Sequence, residues 1–442
     1  MTKPNYRILT VFFVGVFIGA LDTNVLGPVF PLITRSFHIT FSWTAWTITA
    51  YTVAYIASTI LAGAAGDRFG HRKLFVWGIV AFGLASLIAA LSQNFAMFVI
   101  ARIIQGSGAG AVYPNAQAEG LKMFPSNRRG MALGIFGAIF GVASILGPTA
   151  GGALGQYFGW PSVFLINVPI ALLVLFMVRR VPASQLGSRA VPDIIGGLGF
   201  SSFLASILLF VMISGSVRWI FLVLAIGFFV LFWARQRTAR VPFLDSKPLT
   251  NTSGVAMMIG AALIGLDMSA AIFVPTLTQD TLHFTVLVSG VALLPAAFTG
   301  AIFSGAGGVM VDRIGPRKVL AAGLVAASLG GLLLAWPHLV LWRFLVAMMA
   351  LGIGTAFTMG APLNRMALAL YREDQAGEAL SLMAVFRGIG LAAGPILLTV
   401  AENWHGFTGM FGVVFVGSLV GLVAFLFVPD VKVARPGQVA NT

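Results

Sequence analysis

The sequence predicts an all-α polytopic membrane protein with fourteen transmembrane helices: two pseudo-symmetric six-helix bundles and two further helices inserted between them. Three observations carry this prediction. Of 442 residues, 58% are hydrophobic and only 9% are charged, against roughly 25% charged in an ordinary soluble domain. Apolar stretches long enough to cross a bilayer, about 20 residues each, follow one another with little chain between them. Features of the first half also recur in the second at a nearly constant offset, the pattern of a duplicated bundle.

Taken in order, the first six stretches run Ile8 to Ile33, Trp43 to Gly66, Leu74 to Leu91, Phe95 to Ala118, Met131 to Gly155 and Trp160 to Val178. Charge, proline, glycine or polar clusters bound each one. Ile194 to Ile213 and Trp219 to Trp233 are the inserted helices 7 and 8, the latter the shortest of the set. The last six are Val255 to Thr276, Val286 to Val311, Val319 to Trp336, Leu339 to Leu363, Leu380 to Val400 and Met410 to Val428. The runs are continuously apolar and do not alternate with period two, which argues against a β-barrel. The longest polar stretches, Arg179 to Asp193 and Ala234 to Asn251, are too short to bury a core of their own. An attached catalytic or nucleic-acid-binding domain is therefore excluded between the spans, and function must lie within the membrane.

The charge balance, 27 basic against 13 acidic residues for a net +14, matters through its distribution. With the N-terminus inside, 22 of the 27 basic residues fall on cytoplasmic segments, Arg35 and Arg218 fall outside, and Arg102, Arg343 and Arg387 fall within spans. Cytoplasmic loops retain Lys and Arg, so both termini are expected in the cytoplasm. The run after Arg7 carries no small-residue cleavage pattern and continues at full span length, as a retained helix does. There are no cysteines, which excludes disulfides, thiolate metal sites and cysteine nucleophiles.

The repeat is explicit. Gly63-Ala-Ala-Gly-Asp67-Arg68-Phe-Gly70-His-Arg72-Lys73 recurs as Gly308-Val-Met-Val-Asp312-Arg313-Ile-Gly315-Pro-Arg317-Lys318, an offset of 245. Leu21-Asp22 recurs as Leu266-Asp267 at the same offset, and Gly141-x5-Gly147-Pro148 as Gly388-x5-Gly394-Pro395 at 247. The offset exceeds half the chain because helices 7 and 8 are inserted. The expected organisation is an N-terminal bundle over 1–180, the two inserted helices over 181–250 and a C-terminal bundle over 251–442. Alternating-access transporters place their substrate where two such bundles meet.

With these motifs in register over essentially the whole chain, the sequence resembles the major facilitator superfamily, and within it the fourteen-helix drug:proton antiporters. Gly63 to Lys73 is similar to the family's loop 2-3 motif. Arg102-Ile-Ile-Gln105-Gly106-Ser-Gly108 is similar to its helix 4 motif. Gly141 to Gly152, with Gly147-Pro148-Thr-Ala-Gly151-Gly152, is similar to the helix 5 motif of antiporters. Two departures stand out: where the helix 1 signature carries Thr and Asn after the aspartate, this chain has Asn24 and Gly27, and Pro161 stands where Arg commonly follows Trp160. The resemblance implies export of a hydrophobic, cationic small molecule in exchange for protons by a multidrug-type carrier. It implies a prokaryotic plasma membrane protein, a monomer that contacts membrane lipid and no nucleic acid.

Asp22 and Asp267 are the central candidates. Carboxylates within a span are expensive and generally serve a task facing the bundle interior or a wet cavity. Each lies about fourteen residues into its helix, roughly 20 Å from the cytoplasmic start at 1.5 Å per residue. Desolvation favours a neutral acid and an approaching cation favours the carboxylate, so one group can hold a proton or a cation in alternation, with Asp22 preferred. The competing reading is a permanent ion pair with Arg102 or Arg387 that only holds helices together. The resemblance implicates Arg102 in coupling. Asn24, Gln105, Tyr113, Asn115 and Asn364 are candidate cavity-lining positions. Arg343, near an outer helix end, can snorkel. The resemblance also implies that Asp67 faces the start of helix 13 near Glu378 to Ser381, where free N–H groups and the helix dipole favour an anion. By pseudo-symmetry Asp312 would face Arg129 and Gly130. Gly147, Gly151 and Gly155 recur every four residues, a small-residue stripe for close helix approach.

All five histidines fall in predicted loops, so no intramembrane histidine relay or metal site is expected. No Walker loop is present, so ATP is not the energy source, and no cofactor other than the coupling proton is expected. The rival functions on this fold are an uptake symporter or facilitator for a polar metabolite, and a carrier of lipid or lysolipid. A membrane-embedded enzyme lacks any nucleophile–base constellation here.

Overall fold

A computed structural model describes residues 6–124, 129–181, 193–239, 252–359, 361–369 and 376–428. Every regular element among them is helical. In the first half these are α1 (Tyr6–Ser36), α2 (Phe41–Phe69), α3 (His71–Ala90), α4 (Phe95–Lys122), α5 (Arg129–Phe158), α6 (Ser162–Leu165), α7 (Asn167–Val178), α8 (Ile194–Met212) and α9 (Arg218–Thr238). The second half comprises α10 (Thr252–Ala270), α11 (Val274–Thr281), α12 (Val286–Val291), α13 (Leu294–Ile314), α14 (Pro316–Ala335), α15 (Leu341–Thr358), α16 (Ala361–Ala369) and α17 (Ala376–Leu426).

Eleven helical stretches among the described residues are long and apolar enough to cross a membrane, which makes this a multi-pass membrane protein. Three of the expected fourteen are not counted separately, one of them α5, some of whose side chains lie outside the described residues. The stretch Ser162–Val178 is apolar but shorter than a span. The α17 stretch counts once although its backbone leaves helical geometry at His405 and Gly406, where Gly406 has φ 60° and ψ −153°, a conformation essentially reserved to glycine. Expected helices 9 and 10 are each interrupted, Ala270 ending α10 before α11 and Val291 ending α12 before α13, yet each still makes one long apolar stretch.

Local chemistry fixes the helix ends. Asn94 accepts a bond from Met97 N at 2.9 Å, Asp193 from Gly196 N at 3.0 Å and Thr285 from Val288 N at 3.3 Å, each satisfying an orphan N–H of a first turn. Pro275 and Pro316 stand at the starts of α11 and α14, where the missing N–H costs nothing. Gly70 and Gly315 join α2 to α3 and α13 to α14 with φ of 95° and 92°. Gly70→Ala and Gly315→Ala should each cost about 1–2 kcal/mol, because a Cβ crowds its own backbone at positive φ. Thermal unfolding of the two variants in detergent checks this, and both midpoints should fall.

Two compact units emerge. The first contains Met1–Leu244, Ala271–Leu293 and Pro395–Thr399; the second contains Asp245–Ala270, Leu294–Gly394 and Val400–Thr442. In the first, Phe12, Phe75, Ile79, Phe82, Val112 and Phe136 form the core, with Phe12 and Phe75 edge to face at 5.0 Å. Helices α8 and α9 pair through Phe200–Phe232, Phe203–Phe229 and Phe210–Trp219, while α8 rests on α2 and α9 is exposed along nearly its whole length. In the second unit, Val311, Val319, Ala356 and Phe357 form a smaller core. Lipid tails are as apolar as leucine, so helices in a bilayer associate through close packing and polar contacts, and glycines such as Gly106, Gly151 and Gly352, each set against a backbone carbonyl, serve that end.

Candidate functional site

In the first unit, α1 carries Asp22 into a fully buried polar cluster. Arg102 Nη1 on α4 donates to its Oδ2 at 2.8 Å. Gln105 Nε2, one turn along, donates to Oδ1 at 2.9 Å, and Asn167 Nδ2 at the start of α7 donates to the same oxygen at 2.8 Å. Gln105 bonds Arg102 through its own oxygen and Ser86 Oγ on α3 through its amide at 2.8 Å. The Arg102 guanidinium lies 4.1 Å from the centroid of the Tyr51 ring. Asp22 and Arg102 are 0% and 1% exposed. The expectation of a carboxylate facing a wet chamber is therefore not met at Asp22. Its charge is matched and its lone pairs are occupied, as the ion-pair reading required. Asn167 was not among the candidates, although a buried polar amide inside Phe164-Leu-Ile-Asn167-Val-Pro169 was the available signal.

Asp267, in the second unit, has a different setting. Ser418 Oγ on the last segment of α17 donates to its Oδ2 at 2.7 Å. Its Oδ1 is buried and has no hydrogen-bond partner among the described residues, although the residue as a whole is only partly buried. No cation pairs with it there. The repeat explains why. A Cβ on Gly106 would fall on the Tyr51 carbonyl, and one on Gly352 on the Ala296 carbonyl. Phe98 and Phe344, eight residues before those glycines, are both buried. Helix α4 thus maps on α15 with Gly106 on Gly352 and Gly108 on Gly354. In this register Met348 replaces Arg102, Leu351 replaces Gln105, and at the helix 3 repeat Gly331 replaces Ser86. The acid is kept and its base and amide are replaced by apolar side chains.

The loop motifs cap helices. Arg72 Nη2 donates to Val178 O, the end of α7, at 3.1 Å, and its counterpart Arg317 donates to Leu426 O, the end of α17, at 3.0 Å. Each motif arginine satisfies a terminal carbonyl. Arg68 stacks over Phe69, Arg313 is exposed in the last turn of α13, and Lys73 is exposed. Asp312 pairs with Arg365 of α16 at 2.7 Å, both side chains more than half exposed. The side chains of Asp67, of Glu378 to Ser381 and of Arg129 lie outside the described residues, as do the surroundings of Gly130 and Gly141. His71, expected in a loop, opens α3 and is buried, with Nδ1 2.8 Å from Asn115 Oδ1. The Asn115 amide donates to Ala62 O and Ala111 O at 3.1 and 2.8 Å. Both amide hydrogens are spent, so its oxygen accepts and His71 Nδ1 carries the proton.

The other expected lining groups are engaged locally. Asn24 donates to Ala20 O at 2.7 Å and Tyr113 OH accepts from Gln117 at 2.8 Å. Asn364 is half-buried on α16, Arg387 is half-buried on α17 with partners of its own, and Gly63 faces Pro114. Arg343 bonds the carbonyls of Pro337 and His338 and stacks near Trp336 and Trp342.

The helix 5 stripe closes on backbone. A Cβ on Gly147 would strike Asn24, one on Gly151 the Val25 carbonyl, and one on Gly152 the Val286 carbonyl. Pro148 presents its carbonyl where Gly290 leaves room. Two amides seal this contact: Gln156 Oε1 accepts from Leu287 N at 2.9 Å, and Gln279 Nε2 reaches Pro28 O at 3.0 Å and Ser289 Oγ at 2.9 Å. Sequence reasoning missed both glutamines.

A family model, the Major Facilitator Superfamily, matches residues 12–232 and 257–441. The chain belongs to that superfamily. Among curated members, the riboflavin transporter RibZ of Clostridioides difficile is 27% identical over 397 residues, covering 89% of this chain and 87% of that one. The puromycin resistance protein pur8 of Streptomyces alboniger is 30% identical over 412 residues, covering 89% and 81%. A solved structure of the Escherichia coli xylose transporter XylE, described as inward open, superposes with a TM-score of 0.68 over 97% of both chains at 16% identity. That likeness establishes the major facilitator fold.

Proposed function

We propose that this major facilitator is a multidrug-type exporter, moving hydrophobic, cationic small molecules out of the cell in exchange for protons by alternating access. The observation that carries the reading is a pair of carboxylates placed inside apolar helices at equivalent positions of the two repeats, Asp22 and Asp267. Such groups are retained in a membrane for a charge-handling task. The relative named for puromycin resistance supports the direction, whereas the riboflavin relative represents the alternative of a polar metabolite. Fourteen crossings with both termini in the cytoplasm of a prokaryotic cell complete the reading. Support for it comes from the eleven long spans, a second stretch within α17, α5 and Ser162–Val178, and from the basic residues falling on one side.

Everted membrane vesicles holding an imposed pH gradient test it. Addition of tetraphenylphosphonium or ethidium should release protons from vesicles that contain the protein and not from controls. Proton movement in the uptake direction, or none with any member of a panel of cations, neutral vitamins and lysolipids, would overturn the proposal.

A further inference from the structure

We infer that the two repeat-related carboxylates have divided their work: Asp267 is the exchangeable proton and cation site, and Asp22 is a structural anion that stays paired with Arg102. The inference rests on the proton-coupled reading above and assigns its chemistry to one atom. In the first unit the charge of Asp22 is cancelled by Arg102 and its oxygens accept from three side chains. A proton arriving there would have to displace a donor and strand a buried guanidinium, a cost of several kcal/mol. In the second unit the same position on the repeat has kept the carboxyl, with Met348 and Leu351 in place of Arg102 and Gln105. Among the described residues Asp267 has one donor, Ser418, on Oδ2, and nothing on Oδ1.

Loss of the counter-charge changes what the group can do. A carboxylate without a cation in an apolar bundle is stable in two ways, with a proton added or with an outside cation beside it. Because Ser418 occupies Oδ2, the proton resides on Oδ1, and the same oxygen is the one a positive substrate meets. Oδ1 is itself enclosed in this structure, and beside it Gly417 lacks a side chain: a Cβ there would stand 3.7 Å from Oδ1. The step balances simply. The carboxylic acid gives up H+ to the aqueous phase, and the resulting carboxylate accepts one monovalent cation, so the occupied site carries the same net charge before and after. The ligand class that follows is a monovalent organic cation exchanged one for one with a proton.

The test uses purified protein in proteoliposomes or detergent, with a pH dye and tetraphenylphosphonium as the probe. Wild type should release about one proton for each cation bound, with binding that weakens as the medium is acidified. Asp267→Asn should abolish the release and weaken binding about tenfold or more, as loss of a close charge partner in a partly buried site requires. Asp267→Glu should restore release. Ser418→Ala, which keeps the acid and removes its single donor, should shift the pH at which release is half-maximal without removing it. The variant Asp22→Asn/Arg102→Met, which deletes both buried charges together, should still release protons. Release that survives in Asp267→Asn, or that disappears in a folded Asp22→Asn/Arg102→Met protein while Asp267 is intact, overturns the division of work. If wild type binds the probe and releases no proton at all, the proton-coupled reading itself has failed, and the inference falls with it.

Discussion

Arg102→Met should lower the unfolding free energy by about 3–5 kcal/mol, the loss typical of removing one partner from a buried ion pair. The substitution is nearly neutral in volume and leaves Asp22 with donors from Gln105 and Asn167, so packing alone would predict a small effect. The large effect comes from stranding a carboxylate that is 0% exposed and from orphaning Gln105 Oε1, which accepts from Arg102. The companion variant Asp22→Asn/Arg102→Met should recover most of the loss, since deleting both members of a buried pair is often close to neutral. Thermal inactivation of transport-competent protein in one detergent, with a double-mutant cycle across the two sites, measures the coupling. A single variant as stable as wild type would mean that the pair contributes nothing to holding α1 on α4.

The fold was largely legible because its signals are additive over many residues. Length of apolar runs, the distribution of arginine and lysine, and the offset of 245 between Asp67 and Asp312 each average over local accidents. The helix interruptions were less legible. A break such as Ala271 to Phe273 between α10 and α11 is written in apolar residues that would suit a continuing helix, and its cause is tertiary: α11 and α12 pack on α1 and α5. The candidate site was legible as residue types and illegible as roles. Asp22 and Asp267 look alike in their own helices, and hydropathy cannot tell a matched charge from an unmatched one. What separates them sits on other helices, in Arg102, Gln105 and Asn167 on one side and in Met348 and Leu351 on the other. Alignment of the two halves contains that difference, but only once glycine contacts fix the register of α4 against α15 at 246, one residue away from the offset of the aspartates. Gln156 and Gln279 were missed for a similar reason, since a lone amide near a helix end is polar in any topology and acquires meaning only from the backbone groups it reaches.

Gly265→Val should be the most damaging of the single glycine substitutions in α10, costing about 3 kcal/mol, the upper part of the range for overpacking. A Cβ there would fall on the Arg387 carbonyl, while Gly390 meets the Ala262 carbonyl and Gly394 meets Ser269 Oγ, so α10 and the first segment of α17 touch through three successive close approaches. Two of the obstructing atoms are backbone carbonyls already bonded within their own helices, and they cannot swing aside as a side chain could. The helices must separate along the whole contact, two residues from Asp267. Gly265→Ala should show the same sign with a smaller loss. Gly305 and Gly412 supply the contrast, since nothing lies within 4 Å of a Cβ at either. There alanine should be neutral or stabilising by up to about 1 kcal/mol, the helix-propensity gain over glycine. Unfolding midpoints of the four variants in one detergent should therefore order as Gly412→Ala and Gly305→Ala at or above wild type, then Gly265→Ala, then Gly265→Val. If Gly265→Val unfolds with the open-space variants, the close approach of α10 to α17 is not what holds the second unit together, and the geometry argued for Asp267 and Ser418 would lose its support.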